Sequence, residues 1–299
     1  MKIDASLLVT IAAIAVVKST PLVYAGLGGV VSENAGVVNI GLEGMMAAGA
    51  FSAVVASFYT HDLLLALLGA VAAGAAFGLL LAYLAVTQRA DQIIVGMAIN
   101  VLGIGGAAFG LSAIFGQPGA SPEVASFSTM SAHGPASFVA RHALIWLALV
   151  LVVLLHIFLY RTKSGVHTRA VGEAPHAAMA AGIDVVRIRY AATIAGGVLA
   201  ALGGAYLSIG ELDLYSDGMV AGRGFIALAA VIFGRWTPFG VAAACLFFGL
   251  FSSLQIALQR ADVPAQLLEM LPYVLTIVAL AGFVGRTRAP AADGVPFQP

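Results

Sequence analysis

The chain has 299 residues, 61% of them hydrophobic and only 9% charged, with a mean hydropathy of +1.01. Soluble domains carry about 25% charged residues, so a water-soluble globule is excluded. Lys and Arg balance Asp and Glu at 14 each, which gives a nucleic-acid partner nothing to bind.

Apolar runs of roughly 20 residues are what a bilayer requires of a helix. The reading is an all-α, polytopic transmembrane bundle with lipid as its surroundings. The alternating short segments of a β-barrel do not occur. In chain order, spans are expected at 3–17, 20–32, 39–60, 63–86, 92–115, 142–161, 189–209, 223–235, 238–258 and 263–284. The first is read as a retained span, because the sequence returns to apolar residues directly after Lys18 without a cleavage site. That makes about ten spans, or eight if 20–32 and 223–235 are half-helices. Half-helices survive at membrane depth only where protein or water surrounds the free backbone ends. Small residues recur every fourth position at Ala70, Gly74 and Gly78, at Gly196, Ala200 and Gly204, and at Gly106 and Gly110. This spacing lets membrane helices approach closely.

Basic residues favour cytoplasmic loops. With the N-terminus inside and strict alternation, Lys2, Arg89, Arg161, Lys163, Arg169, Arg187, Arg189, Arg235, Arg286 and Arg288 fall inside, and Lys18, Arg141, Arg223 and Arg260 outside. Both termini are then cytoplasmic. The long loop 116–141 is external and the long loop 162–188 cytoplasmic. Residues 1–288 form one transmembrane domain, and the Pro/Ala-rich tail 289–299 is expected to be disordered.

Little in the chain suggests bond-making chemistry. There is no G-x-x-x-x-G-K-[ST] phosphate loop and no HExxH, and GLGG (26–29) and GIGG (103–106) do not complete a dinucleotide fingerprint. Cys245 stands alone and makes neither a disulfide nor a metal site. No catalytic residue, metal site or bound cofactor is assigned. The polar candidates are Asn39, Glu43, Gln92 and Asn100, in or beside spans. An ionisable group such as Glu43 inside a membrane points to function by default. The competing reading is that Glu43 pairs within the protein and fixes helix packing. For the amides, path and packing are equally open. In the loop, GEAPHAAMAAGI (172–183) has a turn at Gly172–Pro175 and then an Ala-rich run ending at Gly182, the pattern of a short helix.

Four stretches resemble one family. They are residues 21–51, containing NIGLEGMM; the loop Gly165–Tyr190 with AATIAGGVLAALGGAYLS after it; GRGFIALAAVIFGRWTPFG (222–240); and, more weakly, DQIIVGMAIN (91–100). They are similar to the inner-membrane permeases of bacterial ABC importers for sugars, nucleosides and branched-chain amino acids, closest to the nucleoside type. The resemblance implies a transport subunit that moves nucleosides, or next a simple sugar, by alternating access. ATP and Mg would be bound and hydrolysed by a separate ATPase subunit, a double-ATPase chain. A related second permease (or a second copy) and an extracytoplasmic solute-binding lipoprotein would complete the assembly. Glu173, Ala174, Pro175, Ala177, Ala178, Ala181 and Gly182 would be the coupling element, with Ala177, Ala178, Ala181 and Gly182 facing the ATPase. Asn39, Glu43, Gln92 and Asn100 would line the substrate path. The rival class is an ion-coupled secondary transporter, for which Glu43 is the one deep acid.

Overall fold

The computed structural model describes residues 5–128, 139, 141–258 and 288–298. The described residues form helices and connections, with a single isolated antiparallel bridge between Ala120 and Ser216. Among the described residues, seven helices are long and apolar enough to cross a membrane. In order the helices are α1 (Ala5–Glu33), α2 (Leu42–Thr60), α3 (Leu63–Ala82, prolonged by a π turn to Thr87), α4 (Gln92–Phe115), α5 (Ala143–Arg161), α6 (Lys163–Glu173), α7 (Pro175–Ala180), α8 (Val185–Ala205, prolonged by a π turn to Glu211), α9 (Arg223–Phe233) and α10 (Pro238–Leu258). The expected span 263–284 lies outside the described residues.

One expectation is corrected at once. The runs 3–17 and 20–32 are not two spans, because α1 continues through Lys18-Ser19-Thr20 and Pro21. The polar triplet is satisfied without leaving the helix. Ser19 and Thr20 hydroxyls donate back to the Val16 carbonyl at 2.9 and 2.8 Å, and Lys18 forms an ion pair with Glu211. Residues 20–32 are therefore no half-helix. As one helix, α1 places Ala5 and Glu33 at its two opposite ends.

Helix α8 is the centre of the bundle, with 78% of its membrane window buried, the highest share of any span. Its glycines explain why. A Cβ on Gly196 would lie 2.7 Å from the Gly28 carbonyl of α1, and one on Gly204 would overlap the Met46 backbone of α2. From α3, Gly74 and Gly78 press on Gly197, Thr193 and Ile194. Two of the three small-residue faces are thus helix contacts. The third is half right: Gly110 meets the Phe51 ring, but Gly106 has nothing near it.

Between α1 and α2 the chain is irregular from Asn34 to Gly41. Helix α9 is the second interruption and matches the expected half-helix. It begins at Gly222 (φ +80°) and runs about 16 Å to Gly234 at the loop face, so its N-terminus sits at mid-depth. At the opposite face, residues 119–127 lie along 209–217. Ser121 N–H donates to the Tyr215 carbonyl at 2.8 Å, Val124 to Asp213 at 2.7 Å and Phe127 to Ile209 at 2.8 Å. Burial beside Asp217 pushes the Tyr215 phenol up to about 12.

Candidate functional site

The NIGLEG segment enters a web of buried side chains. Glu43, in the first turn of α2, is buried, and its carboxylate accepts from the backbone N–H of Gly222 at 2.7 Å and of Gly224 at 2.6 Å. These belong to the start of α9, whose first amides have no helical partner. A carboxylate there meets the positive end of the helix dipole. Gly224 is needed because a Cβ would collide with the Glu43 backbone. Asn100 of α4 uses both ends of its amide on the same segment, accepting from Gly44 N–H at 2.8 Å and donating to the Ile40 carbonyl at 2.9 Å. Gln92 accepts from Val38 N–H at 2.7 Å. Asn39 is fully buried and directs its amide at the Met45 sulfur, 3.6 Å away.

The structure therefore brings all four expected path residues together, but not on an open path. They are buried, and three of them hold irregular backbone that the membrane would not otherwise tolerate. These bonds are the packing role weighed for Glu43 and the amides. Asn39 Oδ1 and Gln92 Nε2 alone lack a protein partner among them.

A second buried acid was missed. Glu33, the last residue of α1, accepts from the Trp236 indole N–H at 2.5 Å, and its Oε1 has no partner. Trp236 and the preceding Arg235 adopt left-handed backbone, φ +54° and +53°. Asn34 anchors this turn by donating to the Trp236 carbonyl at 3.0 Å. The signal was visible: Ser-Glu-Asn at the end of an apolar run, and Arg-Trp after another. Ending the span at residue 32 left Glu33 outside it.

The loop 162–184 folds as two short helices. The Thr162 hydroxyl caps α6 by accepting from Gly165 N–H at 3.1 Å. Helix α7 starts at Pro175, where the missing N–H costs nothing. It ends in a Schellman motif, with Gly182 N–H to the Met179 carbonyl at 2.9 Å and Ile183 N–H to Ala178 at 3.0 Å. Gly182 carries φ +81°, as such a terminus requires. The short helix expected from GEAPHAAMAAGI is present. One member of its expected outward face is corrected: Ala178 is buried against Val171, Val185 and Phe297. The exposed side of α7 carries His176, Ala177, Met179, Ala180 and Ala181.

Phe297 introduces the largest correction. The described tail, 288–298, is not disordered but packed under α7. Ala292 N–H donates to the Gly172 carbonyl at 2.9 Å, Ala291 N–H to Glu173 at 3.3 Å, and Arg189 Nη1 to the Val295 carbonyl at 3.1 Å. Glu173 thus spends its carboxylate on the tail. Among the described residues no cluster of His, Cys, Asp or Glu could hold a metal ion.

Comparison with known proteins follows the same outline. A family described as the branched-chain amino acid transport system / permease component matches residues 11–280. The chain belongs to that family. It is 40% identical to the guanosine ABC transporter permease protein NupQ of Bacillus subtilis, over 94% of each chain. It is 37% identical to the nucleoside ABC transporter permease protein NupC of Lactococcus lactis, over 93% of each. A solved chain described as a metal-chelate type ABC transporter in an inward-facing conformation superposes with a TM-score of 0.51, at 17% identity, covering 93% of this chain and 96% of that one. That last likeness speaks for the fold alone. The protein is a multi-pass membrane permease subunit of the ABC type.

Proposed function

We propose that this permease is one of two related membrane subunits of an ATP-driven importer for nucleosides in the cytoplasmic membrane. The observation that carries the substrate class is the 40% and 37% identity to two nucleoside permeases over nearly the whole chain. The protein named putative glucose ABC transporter permease protein TsgC13 of Haloferax volcanii is less similar, at 32%, and keeps a simple sugar as the second reading. Bacillus subtilis also has a guanosine permease NupP, 26% identical to this chain. Two unequal permeases named for one substrate favour a heterodimer here.

The 162–184 loop is assigned to the cytoplasm, where it meets a separate ATPase. Even with α1 as one crossing, only Lys2 changes side, and nine of the 14 basic residues stay with the loop. Ala177, Ala180 and Ala181 form a shallow face around Met179, whose thioether adapts to an irregular groove. Closure of the ATPase pair pushes α7, and α6 and α8 carry the displacement into the bundle. The external ledge 119–127 is the dock for the solute-binding protein. Cells with and without the gene, supplied with labelled guanosine and labelled glucose, test the substrate: loss of guanosine uptake alone is expected, and loss of neither overturns it.

A further inference from the structure

We propose that the C-terminal segment 289–298 is a brace that sets the position of the coupling helix α7, with Phe297 and Arg189 as its positioning residues; this rests on the reading of α7 as the ATPase dock. The case begins with how little else holds α7. It has six residues, no side-chain cap at its N-terminus, and one buried side chain, Ala178. A helix so short is unstable on its own. The small cluster beneath it consists of Val171, Ala178, Val185 and Phe297 with Ala170, Ile183 and Ile188 at the edge. Phe297 is its largest member and is donated by the far end of the chain. The ring lies 5.3 Å from that of His176, also on α7, and the Arg189 guanidinium is 5.9 Å from the Phe297 centroid.

The segment reaches beyond α7. Two successive turns, Asp293 N–H to Pro290 and Val295 N–H to Ala292, fold it back on itself. The Ala292 and Val295 carbonyls so presented accept from Arg189 in the first turns of α8, at 3.5 and 3.1 Å. Arg189 is almost fully buried, so its contacts are not a solvated surface charge finding a casual partner. Gly36, between α1 and α2, has φ +82°, and a Cβ there would lie 2.7 Å from Arg189 Nη2 and 3.0 Å from the Ala292 carbonyl. The brace therefore joins α7 to α8 and to the irregular link that Gln92 and Asn100 hold, which leads into α2 and its Glu43 bonds to the start of α9. A push on α7 is delivered through packed groups to the two places where the bundle is interrupted. Without the segment the same push would be absorbed by movement of the loop.

The test uses the whole complex of this chain, its partner permease and the ATPase, in liposomes with the solute-binding protein and labelled guanosine. The readout is guanosine imported per ATP hydrolysed, compared for the wild type, truncation after Pro290, Phe297→Ala and Phe297→Leu. Coupling between distant sites commonly amounts to a factor of about 5–150. Truncation is expected to lower import per ATP by ~10-fold while the ATPase still co-purifies. Phe297→Ala should lower the ratio by ~5-fold, and Phe297→Leu should restore most of it. If truncation disturbs membrane insertion, the two point variants carry the comparison. An unchanged ratio in truncated and Phe297→Ala complexes overturns the brace. So does a parallel fall in import and ATPase content that Phe297→Leu does not relieve, since that marks folding alone. A wild-type chain that retains no ATPase overturns the docking reading itself, and shows in the first arm before any variant is compared.

Discussion

Replacing Glu43 separates a structural carboxylate from a substrate contact. In Glu43→Ala both amides at the start of α9, Gly222 N–H and Gly224 N–H, lose their acceptor at mid-depth. A hydrogen bond to a charged group contributes about 1.5–3 kcal/mol, and a buried donor left bare costs about 1–3 kcal/mol. Two such amides put the loss for Glu43→Ala at roughly 3–6 kcal/mol, a large share of the stability of an ordinary domain. Glu43→Gln keeps one carbonyl acceptor but turns an NH2 towards the other amide, so its loss should be about half as large. The assay is thermal unfolding of the detergent-solubilised protein, followed by tryptophan fluorescence, beside membrane abundance and uptake. The order of stability should be wild type, then Gln, then Ala, with uptake falling in step with folded protein. Wild-type stability in Glu43→Ala with selective loss of uptake would refute the reasoning and return Glu43 to the substrate path.

Other substitutions probe the loop face. Gly182→Ala should cost about 1 kcal/mol, because a Cβ has free space there but φ +81° disfavours it; Gly182→Glu should insert normally yet lose co-purifying ATPase, and retention of both ATPase and transport would disprove docking at α7. Trp236→Phe leaves Glu33 without its indole donor and should destabilise the protein by about 1.5–3 kcal/mol, read as a lower unfolding temperature; no change would dismiss the pair. Burial pushes the Asp293 carboxyl up to about 7 against the opposing pull of Arg189, with Glu33 the other acid facing it. A docked acid that holds its proton more tightly than a released one favours docking at low pH, so attachment should weaken as pH rises from about 4 to about 7; hydrogen exchange of 289–298, corrected for intrinsic rates, should be slower near about pH 6 than near about pH 8, and the reverse would contradict it. In a Cys245→Ala background, Ser164→Cys and the exposed Gln117→Cys should label from opposite sides of the membrane.

The helices were legible because the chemistry that makes them is local. Apolar length marks a span, and Gly182 marks the end of α7. The glycine faces of α3 and α8 were legible because a stripe of small residues has few other uses in lipid. The joining of 3–17 with 20–32 was not, because whether Lys18, Ser19 and Thr20 break a helix depends on Glu211, 193 residues away. The same distance hid the roles of the polar residues. Glu43 looks identical in sequence whether it meets a substrate or the start of α9, and the bond from Gly222 comes from 179 residues away. The tail failed for a related reason: Pro and Ala in APAADGVPFQP read as unstructured until Phe297 has a pocket and Ala292 and Val295 have Arg189. Non-local partners turn polar and irregular segments into structure, and the composition of each segment alone does not announce them.

The central claim is that this chain moves nucleosides only as part of an ATP-driven complex. Uptake of labelled guanosine into liposomes measures it, with this chain alone or with its partner permease, ATPase and solute-binding protein, and with ATP or an imposed proton or sodium gradient as the energy source. The account predicts accumulation only in the full complex and only with ATP. Accumulation by the chain alone, driven by an ion gradient, would contradict it.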